Sequence, residues 1–317
     1  MKKKALLHGL KTGALIAALT TAMPLSVHAA TVVSSDGETI DVSKMTDEER
    51  KGYELTKKYE KTLPKIDPSA NIPREYFSKR KANTLKGEDL ESKYDSRKKG
   101  VISPVKNQDA TGTCWCFSMM EATQASILSN TGVKSVDLSE FETAYFVYNH
   151  GNDRMGLTGD YVDPYYEAGS EDYYELGATT LGGIFAASGG LAFADESSAP
   201  FTSLIDDMHD KGKATLPDDF WHNNTIYTLS GVEVFNPHLD PEGVKEKIKQ
   251  NGAGQISYQH KSSCYDYSTY AFYNSSGEGN GHAVTVVGWD DDYSVENFVE
   301  APDKPGAWLI KNSWSEE

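Results

Sequence analysis

Pro104-Val-Lys-Asn-Gln108-Asp-Ala-Thr-Gly-Thr-Cys114-Trp115-Cys-Phe-Ser118 decides more about this chain than any other stretch. A side-chain amide at Gln108 stands six residues before the thiol of Cys114, with Gly112 in the short loop between them. Phe117, Met120 and Ile127 are candidate packing residues, and Gly132 lies just past the end. This pattern predicts a helix over residues 114–130 with Thr113 as its N-cap. A thiol on the first turn of a helix sits at the positive end of the helix dipole, which favours the thiolate. An amide donor beside that thiol suits an oxyanion hole. The pair becomes a catalytic device once a general base arrives from elsewhere in the chain.

The candidate base is His282. The chain has eight histidines, and His282 stands in Gly281-His282-Ala-Val-Thr-Val-Val-Gly-Trp289, a β-branched run that reads as a strand with the imidazole near its start. His150 and His260 lie near aromatic or polar residues and read as surface or core histidines. Gly306-Ala-Trp-Leu-Ile-Lys-Asn312-Ser-Trp314 is a second apolar run, and it presents an amide at Asn312. Cysteine, histidine and asparagine thus follow one another far apart in sequence, as residues of separate lobes or strands would.

These stretches resemble the papain family of cysteine peptidases, with its Gln, Cys-Trp, His-Ala and Asn-Ser-Trp signatures in the same order. The resemblance runs from Tyr94-Asp-Ser-Arg97 to the last residue. It implies an α+β fold of two lobes, one helical and one a β-barrel, with the site between them. On this resemblance Cys114 is the nucleophile and His282 the proton carrier. Asn312 orients the imidazole under the shield of Trp314, and Gln108 with the backbone N–H of Cys114 holds the oxyanion. Gly177, in Leu176-Gly177-Ala178, and Ala283 correspond to positions beside the substrate. The implied reaction is peptide-bond hydrolysis through a thiolate–imidazolium pair and an acyl-enzyme, acting on protein or peptide substrates. Cys114-Trp-Cys116 has no second cluster at metal-ligand spacing, so neither a metal nor another cofactor is expected. The tract His282–Trp289 followed by Asp290–Phe298, together with Tyr145–Asn149, is similar to the bacterial secreted branch, some members of which join the peptidase to a lectin-like or cell-wall-binding region.

Residues 1–29 read as a secretory leader. Lys2, Lys3, Lys4 and Lys11 form its basic start, Ala14 to Leu25 its short apolar core, and Val27-His28-Ala29 its cleavage site. Loss of its four lysines and no acids takes the formal charge from −16 to −20. So acidic a chain argues against nucleic-acid binding and for solubility outside the cell. The only cysteines are Cys114, Cys116 and Cys264, too few for a disulfide framework in an exported chain. The family position of one half-cystine is here Thr111. Cys116 lies about 200° round the helix from Cys114 and is expected to pack inward. Cys264 reads as a free loop thiol, with a Cys116–Cys264 bridge left open.

Residues 30–90 differ in character from residues 91–317. Thr46-Asp-Glu-Glu49 is a capping box, opening a charged helix with Tyr53, Leu55, Tyr59 and Leu63 that ends before Pro64. Pro68, Pro73 and Lys79-Arg80-Lys81 then predict an extended, exposed segment. A propeptide over the cleft and a spacer are the two readings of 30–90, with cleavage near 80–91. Residues 91–317 form the peptidase domain. A short helix is expected over 181–187, and another opens at Asp240-Pro241 and ends at Asn251-Gly252. Strands are expected at Gln255–Tyr258, Tyr270–Tyr273, Val284–Trp289 and Trp308–Trp314. The acidic, tyrosine-rich stretch 149–176 reads as a solvated loop, with oxygen-ligand calcium binding or shaping of substrate access as alternatives. The family's β lobe continues past the Asn-Ser-Trp motif, so the domain is expected to be truncated at its C-terminal end. A cell-wall or carbohydrate association would lie in that missing region. Two other readings compete with a secreted endopeptidase: a peptidoglycan hydrolase with a Cys-His pair, and a catalytically silent surface adhesin. The Gln108–Cys114 spacing and the Asn-Ser-Trp motif weigh against the first. The presence of Cys, His and Asn together weighs against the second.

Overall fold

The computed structural model describes residues 15–16, 45–60, 90–109, 111–148, 165–166, 174–175, 192–211, 214–217, 220–229, 232–233, 235, 237 and 240–315. In chain order the principal elements are α1 (Asp47–Glu60), β1 (Lys93–Asp95), α2 (Cys114–Asn130), α3 (Glu140–Tyr148), β2 (Ala192–Ala194), α4 (Phe201–Lys211), β3 (Thr225–Thr228), α5 (Pro241–Asn251), β4 (Gly254–His260), β5 (Asn280–Asp290) and β6 (Ala307–Lys311). The architecture is α+β, with helices on one side of α2 and an antiparallel sheet on the other, as the resemblance predicts.

α2 is the axis of the molecule, and it matches the predicted span. It is buried on nearly every side, from Cys114 and Trp115 through Met119, Met120 and Thr123 to Ile127, because it lies between α3 and the strands β4 and β5. The predicted packing residues Phe117, Met120 and Ile127 are all buried. On the helical side Trp115, Met120, Leu138, Phe193 and Leu204 share one apolar cluster. Each large side chain buried in this way contributes about 1.5–3 kcal/mol. On the sheet side Ile256, Val284, Val286, Trp289 and Ile310 form another. Ala125, Ala253, Val287 and Leu309 make a thin seam where the helix touches the sheet.

β5 is the central strand. β6 pairs antiparallel along one edge, with Trp289 opposite Trp308. β4 and then β1 pair antiparallel along the other, His282 facing Tyr258 and Gly288 facing Asp95. A bulge between Val286 and Gly288 shifts the β5–β6 register. Gly288 lets β1 come close, since a Cβ there would lie 2.1 Å from the Tyr94 carbonyl oxygen. Leu15–Ile16 pairs antiparallel with β4.

β4 and β5 run longer than the sequence suggests, and β6 ends sooner. β4 extends to His260 and β5 begins at Asn280, so His282 lies inside a strand, while β6 stops at Lys311 and leaves Asn312 beyond it. The segment expected over Tyr270–Tyr273 reduces to Ala271–Phe272, paired with Tyr265–Asp266. α5 has the predicted cap, with the Asp240 carboxylate accepting the Gly243 N–H at 2.9 Å. α1 has its capping box: Thr46 N–H donates to Glu49 at 2.7 Å, and Glu49 N–H to Thr46 Oγ1 at 3.2 Å. α3, α4, β1, β2 and β3 were not anticipated; the strands are short, whereas α4 carries Phe201, Leu204, Ile205 and Met208 at helical spacing, a signal the sequence reading passed over. The helix expected over 181–187, together with Leu63, Gly177 and most of 149–176, lies outside the described residues; within that loop Tyr165–Tyr166 pairs with Tyr174–Glu175.

Candidate active site

Gln108 reaches the site through a loop that pairs with the chain beyond β6. Asn107 bridges to Trp314, Gln108 N–H donates to Ser313 O at 2.8 Å, and Ser315 N–H donates to Lys106 O at 3.2 Å. The Gln108 side chain is fully buried. Ser313 Oγ donates to its Oε1 at 2.7 Å, and its Nε2 donates to Thr111 O at 2.7 Å. A primary amide carries two N–H donors, so one remains after Thr111 is served. Asp109 adopts φ 51°, a left-handed conformation that aspartate tolerates, and its N–H donates to Asn107 Oδ1 at 2.9 Å.

Thr111 ties this loop together. Its Oγ1 donates to Gln108 O at 2.6 Å and lies 2.5 Å from Thr113 Oγ1. Thr113 therefore occupies the N-cap position but makes no side-chain cap, contrary to expectation, because its hydroxyl is engaged by Thr111. Its carbonyl accepts from Cys116 and Phe117 N–H at 2.8 and 3.1 Å. The N–H groups at the start of α2 are left to the thiol. Cys114 Sγ lies against the backbone of Ala283, Trp115 and Cys114 itself.

His282 is almost fully buried. Its Nε2 lies 2.8 Å from Asn312 Oδ1. A carbonyl oxygen only accepts, so Nε2 carries the proton. Nδ1 is buried and has no hydrogen-bond partner among the described residues. Asn312 Oδ1 also accepts Ser313 N–H at 2.8 Å, which fixes the amide. Trp314 stacks on the imidazole with centroids 4.5 Å apart and planes 19° apart.

Burial pushes the Cys114 thiol up to about 11, against backbone hydrogen bonds that pull it down. Burial takes the His282 imidazole down to about 4, partly offset by Asn312. Each group by itself is thus held neutral.

Behind the site two buried ion pairs hold the lobes. Lys106 Nζ contacts both Glu140 oxygens at 2.9 and 2.7 Å and Asp137 at 2.7 Å. Burial lifts Glu140 to about 7 despite Lys106. Lys311 on β6 pairs with Glu121 on α2 and donates to Ser103 Oγ at 2.7 Å. Gln255 on β4 spans the lobes, donating to Trp115 O at 2.9 Å and Ser118 Oγ at 2.8 Å. Lys106, Glu121, Glu140, Ala283, Lys311 and Asn312 line the crevice between them.

Gln108, Cys114, His282 and Asn312 therefore meet at one place, and Ala283 lies buried against the thiol. Cys116 packs inward as expected, with its Sγ donating to Glu140 O at 3.4 Å. No disulfide joins Cys116 to Cys264, so the bridge that the sequence left open does not form. Sequence reasoning missed Tyr258 and His260, which flank His282. Their alternation with Ile256 along one strand is the signal that could have found them. The Lys106–Glu140 pair had no local signal.

The profile described as "Papain family cysteine protease" matches residues 90–170 and 185–317. The chain belongs to the papain family of cysteine proteases. A cathepsin L-like peptidase of Aedes aegypti is 28% identical over 223 residues, covering 69% of this chain and 54% of that protein. Human cathepsin L2 is 27% identical over 237 residues, covering 72% of this chain and 58% of its own. The chain spans about half the length of the curated relatives it matches. Among solved structures, the cysteine protease and lectin-like domains of Cwp84, a surface layer associated protein of Clostridium difficile, superpose with a TM-score of 0.58 at 27% identity, covering 73% of this chain and 46% of that one. Among the described residues no helix is long and apolar enough to cross a membrane, and no group of three or more His, Cys, Asp or Glu is placed to hold a metal ion.

Proposed function

We propose that this papain-family chain is a secreted cysteine endopeptidase made as a zymogen. One observation carries the catalytic reading. The Nε2–Asn312 bond leaves a buried, open Nδ1 on His282, and the next residue, Ala283, lies against the thiol at the start of α2. Cys114 gives its proton to His282 Nδ1 and attacks the peptide carbonyl. The second Gln108 N–H and the Cys114 N–H receive the oxyanion. His282 then protonates the leaving amine and later deprotonates the water that releases the acyl group. Substrate passes beside Gly177 and Ala283.

The zymogen reading rests on α1. Tyr59 stacks on Trp314 at 5.2 Å and 7°, and its hydroxyl donates to Asn107 Oδ1 at 2.7 Å. Tyr53 packs edge-on against Tyr267, and Tyr270 donates to Glu48 at 3.2 Å. Residues preceding the family-matched region thus sit on the tryptophan that covers His282. One solved relative is a clostridial Cwp84 described as "after propeptide cleavage". By analogy, residues 30–90 are a propeptide cut between about Lys79 and Glu91, following a leader at residues 1–29.

The experiment is to label the exported protein with an epoxide-type thiol inhibitor and locate the adduct and mature N-terminus by mass spectrometry. The adduct is expected on Cys114 of a chain beginning near residues 80–91. An adduct on Cys116 or Cys264 would sink the catalytic assignment. Full activity in the uncut precursor would sink the zymogen.

A further inference from the structure

No disulfide holds the loop that carries Gln108. Asp109 in that loop stands at φ 51°, and a residue with a side chain keeps such a conformation where its surroundings enforce it. Part of that enforcement is Thr111, which is fully buried. Two bonds run between Gln108 and Thr111 in opposite senses. Gln108 Nε2 donates to Thr111 O at 2.7 Å, and Thr111 Oγ1 donates to Gln108 O at 2.6 Å. The partner of the Gln108 side chain is thus itself tied to the Gln108 backbone.

The directions of these bonds follow from the atoms alone. A carbonyl oxygen only accepts, so Thr111 spends its single hydroxyl proton on Gln108 O. Thr111 Oγ1 also lies 2.5 Å from Thr113 Oγ1, and the proton in that contact must come from Thr113. By the same rule the Gln108 group facing Thr111 O is the NH2, and Oε1 is the end that accepts from Ser313 Oγ at 2.7 Å. A chain of hydroxyls therefore runs from Thr113 to Thr111 to Gln108 O, and Thr113 is the residue before Cys114.

We propose that Thr111 is a positioning residue for the oxyanion site: its hydroxyl, backed by Thr113, ties the Gln108 amide to the start of α2, where the Cys114 N–H is the other donor. Thr111 meets neither the substrate nor the thiol in this scheme and acts through Gln108. The two donors stand on separate stretches, and their spacing matters because a misplacement of about 1 Å can cost about 10²-fold in rate. Without the Thr111 hydroxyl the amide is loosened but not released. Ser313 still holds Oε1, and its carbonyl still accepts the Gln108 backbone N–H at 2.8 Å. The loss must therefore be smaller than that from removing the amide itself.

This inference rests on the cysteine-peptidase reading, and its test separates the two. kcat and KM are measured on the processed full chain, per Cys114 titrated with the epoxide-type label, for the parent, T111V, T111S, Q108A and Q108A/T111V. T111V keeps the side-chain shape and the backbone carbonyl and loses the hydroxyl. It is expected to lower kcat roughly tenfold with KM within about threefold of the parent, and T111S to restore about half or more of the parent rate. Q108A/T111V should fall no further than Q108A, because a residue that acts through an absent amide has nothing left to position. A merely structural role would lower the yield of labelled protein and leave kcat per labelled thiol unchanged, and that result overturns the proposal. A T111V loss that multiplies in full with that of Q108A also overturns it. A measurement on the unsubstituted chain stands whether or not the variants fold. The Thr111 hydroxyl proton, read from the deuterium isotope shift on its 13Cβ, should exchange slowly with water. Exchange as fast as that of an exposed threonine, in a chain that cleaves peptide, counts against this proposal alone. Slow exchange in a chain that labels at Cys114 but cleaves no peptide counts against the peptidase reading alone.

Discussion

The two sides of the crevice hold the candidate site groups by different physics. On the Cys114 side the positioning bonds are polar and directional: Ser313 to Gln108, Gln108 to Thr111, Thr111 to Gln108 O. Buried charge backs them at Glu121, Glu140 and Lys106. On the His282 side one directional bond, Nε2 to Asn312, is set among the rings of Trp314, Tyr258 and His260, with Phe272 behind the last two. A loop has no lattice of its own, so a side-chain amide placed on one must be fixed bond by bond. A strand already sets the direction of its side chains, and ring packing need only keep the imidazole from turning and water from entering.

The comparison breaks first at the nucleophile. C114A should remove turnover by at least about 10⁴-fold, while C116A keeps most of it, as measured with a peptide substrate and the thiol label. Comparable losses in both would mean that the inward-facing sulfur, and not the helix start, matters. Next comes Q108A, expected to lower kcat by about 10²–10³-fold with KM changed much less. The charge on the oxygen develops only in the transition state, so a loss confined to KM would show that the Gln108 clamp serves substrate binding.

E121A tests the charged support behind the loop. It leaves Lys311, whose ammonium burial already holds below its ordinary range, without its carboxylate. A loss of about 3–5 kcal/mol in denaturant unfolding is expected. A loss below ~1 kcal/mol would mean that the lobes are held by packing alone. The smallest effect concerns Glu142, whose Oε1 is buried with no hydrogen-bond partner among the described residues. Burial lifts its carboxyl to about 8 from an ordinary 4.5. Between those values the folded chain keeps a proton that the unfolded chain has released, so stability falls as pH rises through that window. E142Q should remove this slope and raise stability at pH 8 by roughly 2–4 kcal/mol. An unchanged slope would assign the pH dependence to another group, with Glu140 the first to examine.

Much of the site could be read before any coordinate was known, and the reason differs residue by residue. Cys114 was legible because a helix start has a local pattern, and α2 spans the predicted residues. Asp240 and the Thr46–Glu49 box were legible for the same reason. His282 was legible from its valine run, although it lies within a longer strand than that run suggests. The Thr113 cap was misread because the competing hydroxyl of Thr111 is two residues away, and local propensity does not rank two partners for one side chain. Tyr258 and His260 were passed over because an isolated strand does not say which strand it faces.

By itself the sequence determined the class of chemistry, since a thiol at a helix start, an amide six residues before it, an imidazole opening a strand and a distal amide are local features with local causes. It also determined that no disulfide framework holds this chain, because three cysteines leave one without a mate. Only the tertiary structure decided what surrounds those groups: that Ser313 turns the Gln108 amide, that Lys311 and Glu121 meet across the lobes, and that a second imidazole shares Trp314 with the first. These partners lie up to 205 residues apart in the chain. Hydrogen-bond direction, burial and ring contact act over ångströms of space, and sequence separation carries no trace of them until the strands have paired.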